Sequence, residues 1–525
     1  MNAALQLRMI AALTGHEVRM RLRRISSLVT VFIVMAVTWL IIPNPAGGRS
    51  LVVVDSMRLI YNSQTLAIGG GIIASFLLGL AAFYLVRGRT REDLRCGLGG
   101  VLAATPVGNA SFIVARWLGA VAYLLALALA LAVTLMVLQA VFGEAPVEPL
   151  TVLGTFALML LPTILLAASV AVLCDACAPL MGKGGDLVYF VFWLGQFSAL
   201  PQQLMNNKTT GGLLGVVDVS GIVTLVQRFR ALFHTEHFSL GGSRFDASIA
   251  PLVLNDFWTT DMVALRISCM LLMLAPLVAA TLLFHRYSPD KVRASHRAAR
   301  GSLWAWLNRL LQPATRIVRP LFTLAARTPG VTGQALADAA LTLISNPVAL
   351  AGMLVIMAFG VAVPATQLGG VLAAAVLCWG ILISDLPVRD HQSATEGLTA
   401  AVNGGAIRRY LRHALVSCGL GLMCTLPVWV RWLAEAPFRA LVLATGLLAL
   451  SAAASLLGRL TNTGRTFLAL FLFGFYLAIN VREVAWFDVV GFNGSADLHS
   501  VAAQLAFGVA AFICGHVVNQ RKANA

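Results

Sequence analysis

Arg91-Glu92-Asp93, followed by Leu102-Ala103-Ala104-Thr105-Pro106-Val107 and Ala115-Arg116-Trp117-Leu118-Gly119, is a charged, proline-broken stretch between two long apolar runs. Charged residues at the centre of a membrane-crossing helix cost about 2.5–3.5 kcal/mol each. The stretch therefore marks a loop between two crossings. The rest of the chain agrees: 525 residues are 59% hydrophobic and 11% charged, with a mean hydropathy of +0.84. Soluble domains are about 45–50% apolar and about 25% charged. The expected fold class is an all-α polytopic membrane protein.

Apolar runs able to cross about 30 Å of hydrocarbon need roughly 17–25 residues. They fall at 27–43, 66–86, 112–142, 152–174, 187–205, 263–284, 347–364, 368–385, 409–430, 438–458, 463–480 and 500–519, predicting about twelve transmembrane helices. Lys and Arg favour the cytoplasmic side of short loops. With the N-terminus inside, 28 of the 38 basic residues lie on that side, which predicts a multi-pass protein of the cytoplasmic (inner) membrane with both termini cytoplasmic. The net charge of +16 then reflects topology and contact with anionic membrane lipids rather than nucleic-acid binding. No small-residue cleavage site follows the apolar run at 28–43, so the first span reads as uncleaved.

All eight cysteines fall in predicted spans or cytoplasmic segments, so disulfides are not expected. Cys174-Asp175-Ala176-Cys177 has no second pair or histidine cluster to complete a metal site. His234-Thr235-Glu236-His237 in the outer loop 206–262 matches no zinc spacing. The expectation is no metal and no cofactor bound by this chain. The other outer loops are short, leaving no room for a globular extracytoplasmic domain.

Two halves repeat. Ala11-Ala12-Leu13-Thr14 recurs as Ala339-Ala340-Leu341-Thr342, and Leu40-Ile41-Ile42-Pro43 recurs loosely as Val361-Ala362-Val363-Pro364. The stretch 102–116 aligns without a gap on 398–412. In register, these matches predict two parallel six-span repeats at 1–288 and 333–525, joined by a cytoplasmic linker at 289–332. Within the linker, Leu303, Leu307, Leu310 and Leu311 share a helical face beside two Trp, as in a helix lying among headgroups. Leu5, Met9, Leu13 and Met20 suggest a similar interfacial elbow helix at 4–25.

Composition alone leaves the loop at 87–111 readable as a plain solvated loop. Its acidic-basic opening, Leu-x-x-Thr-Pro-Val turn and basic-x-x-Gly entry to the next helix resemble the loop between the second and third spans of ABC type-2 exporter permeases. That resemblance is specific over about 30 residues of the first half and extends to topology in both. It implies elbow and coupling helices that dock on a separate ABC ATPase subunit, in two copies, which would use ATP and Mg. Carried across, Arg91, Glu92, Asp93, Thr105, Pro106 and Val107 would form the ATPase contact, and Arg116 would anchor the third span. In the second half Arg389, Asp390 and Glu396 keep the charged opening, whereas Val402 replaces the proline and Asn403 the following valine. The resemblance also implies a permease of the exporter type, with the substrate path along the second and fifth spans of each half. The fifth spans carry Tyr189, Phe192, Trp193 and Gln196, and Phe471, Phe475, Tyr476 and Asn480. Such aromatic rows also pack against neighbours or face lipid. If they line a path, the substrate is amphipathic or hydrophobic.

No phosphate-binding G-x-x-x-x-G-K-[ST] sequence follows a strand; Gly182-Lys183-Gly184-Gly185 lacks the first Gly and the Ser/Thr. The chain is therefore expected to be a transport subunit rather than an enzyme. Two alternatives fit the residues less well. A twelve-span secondary transporter normally needs titratable residues in mid-membrane, whereas Asp186 and Asp385 sit at predicted span ends. A polytopic membrane enzyme would want clustered acidic or histidine side chains at one interface, and the histidines are scattered.

Overall fold

The computed structural model describes residues 3–23, 25–95, 97–105, 107–177, 180–181, 183–196, 216–235, 237–284, 309–393, 395–401, 404–480 and 484–524. They divide into two compact units, Met1–Ala299 and Arg300–Ala525.

The first unit opens with α1 (Ala3–Leu22) and α2 (Ile25–Ile41). A hairpin of β1 (Arg49–Val54) and β2 (Met57–Arg58) precedes α3 (Ser63–Val86). Two short helices, α4 (Arg89–Arg95) and α5 (Leu98–Ala104), lead into the long α6 (Asn109–Phe142). Then come α7 (Pro149–Ala176), α8 (Lys183–Leu194), α9 (Ile222–Phe233), β3 (Phe238–Arg244), α10 (Thr260–Leu272) and α11 (Ala275–Leu283).

The second unit contains α12 (Arg319–Arg327), α13 (Gly330–Ser345), α14 (Pro347–Ala362) and α15 (Leu368–Ile383). The short α16 (Arg389–Gln392) and α17 (Glu396–Ala400) precede α18 (Gly405–Glu435), α19 (Pro437–Thr461), α20 (Gly464–Asn480) and α21 (Leu498–Asn524).

This is a multi-pass membrane protein, but twelve full crossings are not present among the described residues. Eight helical stretches are long and apolar enough: Ser63–Val86, Asn109–Phe142, Pro149–Ala176, Thr260–Leu283, Ala365–Gln392, Gly405–Glu435, Pro437–Thr461 and Leu498–Lys522. The pair α13 and α14, bent by 100°, makes up to nine. The bend falls at Asn346, whose extended ψ of 69° leaves the helix just before Pro347, where the proline ring disfavours the α conformation. The predicted spans at 27–43, 187–205 and 463–480 correspond to α2, α8 and α20. At 17, 12 and 17 residues these helices are short. At about 1.5 Å per residue, 17 residues reach about 25 Å, less than the hydrocarbon thickness. Residues 197–205 lie outside the described residues, as does most of the predicted interfacial helix at 303–311.

Beside the helices, which bear out the all-α class, stands one small feature the sequence reading did not expect, a three-stranded sheet of order β2-β1-β3. Leu51 to Val54 are all buried, a leucine followed by three β-branched valines, a run suited to a covered strand. Asp55 and Ser56 both take positive φ, 45° and 68°, which closes a two-residue hairpin matching strand twist. β3 pairs antiparallel with β1 from Val54↔Phe238 to Arg49↔Arg244. Tyr61, 1% exposed, pins the sheet to α2: its hydroxyl accepts from Leu51 N and donates to Pro43 O, both at 2.9 Å. Asn62 caps α3 through Thr65 N and donates to Leu254 O at 2.9 Å. The segment from Phe238 to Leu254 therefore folds onto residues 43–62 as a small cap.

Below the cap, α3 packs on α7 at close range. A Cβ on Gly71 would meet Met159 Cβ at 3.3 Å and one on Gly79 would meet Thr163 Cγ2 at 3.3 Å, so the spacing of small residues seats one backbone against the other. α7 carries Pro162 in its interior, which cannot donate to Leu158 O. Arg266 of α10, fully buried, supplies the missing donor: its Nε donates to Leu158 O at 3.0 Å and its Nη2 to Met159 O at 3.1 Å. The same guanidinium donates to Asp218 O and to Val219 O.

Candidate functional site: an ion clasp built twice

The charged residues of the first unit gather at the end of α3 remote from the sheet. α6 has 34 residues, about 51 Å of helix, so it extends beyond the hydrocarbon. Arg116 lies two turns inside its start, buried at 6% exposure, with its guanidinium 4.4 Å over the Phe112 ring. It donates to Asp93 and, at 3.0 Å, to Thr90 Oγ1, both of the loop element that begins with α4. Glu17 of α1 approaches Arg116 at 4.0 Å and meets Arg89 Nε at 3.4 Å. Gly119 permits this approach, since a Cβ there would lie 2.7 Å from Glu17 Cβ. This gives the basic-x-x-Gly wording a steric reason. Arg89 also binds Glu92 at 2.7 Å. Burial works against the Arg89 guanidinium, but the Glu17 and Glu92 carboxylates hold its pKa above the ordinary value. From α7, Asp175 accepts from Gly88 N and Arg89 N at 2.8 and 2.9 Å, capping the start of α4. Arg87 pairs with Asp186, fixing the start of α8.

The second unit repeats this plan with different spacing. Arg412 stands seven residues into α18, as Arg116 stands seven into α6. It binds Asp390 of the loop helix at 2.7 Å and Asp338 of α13 at 3.4 Å. Arg389 of the same loop meets Asp338 at 2.6 Å and donates to Thr342 Oγ1 at 2.9 Å. In both units, then, an arginine of the long helix and an arginine of the loop share a carboxylate from the preceding helix, and a loop carboxylate completes the set. This clasp ties the loop to two helices through ion pairs, of which the buried Arg116–Asp93 pair costs about 3–5 kcal/mol to break from one side.

Of the residues expected at the ATPase contact, Asp93 and Arg116 are turned inward and satisfied by each other. Glu92 is half exposed, and Thr105 donates within its own turn to Leu102 O at 2.7 Å. Val107 is half-buried, while the Arg91 side chain and all of Pro106 lie outside the described residues. Leu98 and Val101 of α5 are exposed, 47% and 64%. In the second unit Glu396 pairs with Arg409 at 3.1 Å, with Arg459 at 2.5 Å and with His391 at 2.9 Å. Burial pushes the Glu396 carboxyl up, and Arg459, His391 and Arg409 together hold it below its ordinary value.

Each aromatic row makes its contacts within its own unit. Tyr189 stacks on Phe83 at 3.9 Å and Trp193 donates to Phe76 O at 3.2 Å, so both are packed against α3. Phe192 is exposed and Gln196 buried. Phe471 is buried against Gly380. Phe475 lies edge-on to Phe492 at 5.8 Å, Tyr476 is half-buried, and the Asn480 side chain lies outside the described residues. An apolar recess of about 10 Å³ lies elsewhere, between α2, α3, α6 and α7, lined by Thr38, Ile42, Gly70, Ala74, Leu131 and Phe156. Among the described residues no group of three metal-ligating side chains exists. Glu236 of the outer-loop histidine motif is outside them.

Sequence reasoning missed Glu17, Arg89, Asp175 and Asp338. Glu17 is the sole acidic residue before Asp55, and Asp338 the sole one between Asp290 and Asp385. A lone carboxylate in an apolar segment was the available signal. No family model, curated protein or solved structure matches the chain.

Proposed function

We propose that this chain is the membrane-spanning permease of an ABC type-2 exporter, powered by a separate ATPase that docks on the loops after α3 and α15. The observation that carries the reading is the clasp. A loop tied by Arg116 to α6 and by Glu17 to α1 cannot be pushed without moving both helices. The second unit offers the same connection through Arg412 and Asp338. A plain solvated loop has no use for buried ion pairs on both sides, whereas a force-transmitting one does. Glu92, Leu98 and Val101 form the outer face of this element in the first unit, and its counterpart in the second carries Leu398, 75% exposed. Tyr189, Trp193 and Phe471 then serve as packing between spans, and the substrate path lies along other faces.

The test is co-purification of the tagged chain in mild detergent, with ATP hydrolysis assayed on whatever ATPase is retained. Leu98→Asp with Val101→Asp, both exposed and outside the clasp, should release the ATPase without changing the unfolding midpoint. Arg116→Ala should retain it but uncouple hydrolysis from transport. Retention of no ATPase by the wild-type chain, from cells expressing its own genome, would overturn the reading.

A further inference from the structure

The repeat comparison exposes one corner where the two units differ in chemistry. In the first unit, the start of α6, the end of α7 and the end of α11 meet in an apolar cluster of Ile113, Ala176, Ala280 and Phe284. Phe112 stacks on Phe284 at 5.6 Å there. In the second unit the matching helix ends are those of α18, α19 and α21. The alignment of 102–116 on 398–412 places Arg408 and Arg409 where Phe112 and Ile113 stand. Arg459 ends α19, and Arg521 with Lys522 ends α21. The corner is physically joined: Arg409 donates to Asn519 Oδ1 at 3.3 Å, and Lys522 donates to Arg459 O and, at 2.8 Å, to Asn462 Oδ1.

Packing does not need these charges, because the first unit closes the same corner with methyl groups and rings. Charge balance does not explain them either. Glu396 is the carboxylate that meets Arg409 and Arg459, and both its oxygens are already used. The carbonyl ends of α19 and α21 contribute about half a negative charge each. Roughly three positive charges remain at the edge of the hydrocarbon. Arg459, only 3% exposed, meets Glu396 through Nη2 at 2.5 Å, while its Nε finds no hydrogen-bond partner among the described residues. Lys522 is exposed beside it, and Arg408 and Arg521 are exposed at the positions next to Arg409 on α18 and Lys522 on α21.

We propose that this corner is a phosphate site, filled by the phosphodiester of an anionic lipid headgroup. Arg408, Arg521 and Lys522 receive the phosphate, and the buried Arg409 and Arg459 set the potential that draws it in. The helix ends stand at headgroup depth, where such a phosphate is abundant and each nearby Lys or Arg adds attraction. The inference does not depend on the ATPase reading.

The full chain, delipidated in mild detergent, is titrated with fluorescent phosphatidylglycerol and, separately, phosphatidylcholine. The expected result is saturable binding of phosphatidylglycerol alone, weakened at least about tenfold in the triple variant R408Q/R521Q/K522Q. Glu396→Gln, which removes the competing carboxylate, should tighten binding; a misfolded variant would not. A matched variant of the exposed α12 region, R316Q/R319Q/R327Q, should bind as wild type. Equal loss in the matched variant, no loss in the triple variant, or equal binding of phosphatidylcholine would overturn the site. Complete displacement by millimolar inorganic phosphate would overturn the lipid assignment and make soluble phosphate its occupant.

Discussion

Replacing Arg266 by Met should strip the carbonyls beside Pro162 of α7 of their donor, and the structure sets the size of the loss. Arg266 donates to the carbonyls of Leu158, Met159, Asp218 and Val219. After the substitution Met159 O keeps the Ser75 hydroxyl at 3.3 Å and Val219 O keeps that of Thr163 at 3.2 Å. Leu158 O has no substitute, because residue 162 is proline, and Asp218 O keeps only the Cys269 thiol at 3.6 Å. Each buried carbonyl left unsatisfied costs about 1–3 kcal/mol, so the expected destabilisation is about 2–6 kcal/mol. Unfolding in a detergent titration, followed by tryptophan fluorescence, measures it. The sharper test is Pro162→Ala in the Arg266→Met background, which restores an N–H opposite Leu158 O. It should recover about 1 kcal/mol more there than in the wild-type background. A loss below about 1 kcal/mol, or strict additivity of the two substitutions, would refute the reasoning.

Gly380→Ala should be strongly destabilising, since its Cβ would fall 2.2 Å from the Phe471 ring, and Phe471→Leu should rescue it. A neutral Gly380→Ala would mean that Phe471 swings free, as a path-lining ring could. Glu396 has a folded pKa held below its ordinary value of 4.5, so its contribution to stability is present above that value. It is lost as pH falls through the folded pKa. The difference in unfolding midpoint between wild type and Glu396→Gln should therefore shrink on acidification below about pH 4.5; a constant difference would contradict the ion pairing with Arg409 and Arg459.

The membrane class and most long helices are legible in the chain because a run such as 112–142 announces itself by length and hydropathy alone. Helix ends are less so. Hydropathy cannot see that Asn346-Pro347 turns the chain by 100°, or that α20 stops at 17 residues. The sheet escaped notice because Leu51 to Val54 finds its partner strand at Phe238–Arg244, a pairing no local pattern records. Within the loop at 87–111, the wording located the element but not the direction of its side chains. Asp93 and Glu92 are adjacent in sequence, yet one faces Arg116 and the other the surface. The partners Glu17 and Asp338 were hidden for the same reason: a salt bridge between distant helices leaves only a solitary carboxylate in the sequence.

The pairing of β1 with β3 also orders events during synthesis. Val54 is made 184 residues before Phe238, its partner. At about 5–20 residues per second the ribosome needs roughly 10–40 s to supply it. Throughout that interval the run Leu51-Val52-Val53-Val54 stands outside the bilayer with its β3-facing edge open, the kind of edge that recruits foreign strands. The cap cannot close until α3, α6, α7 and α8 have been made, so its closure reports that this part of the first unit has been threaded.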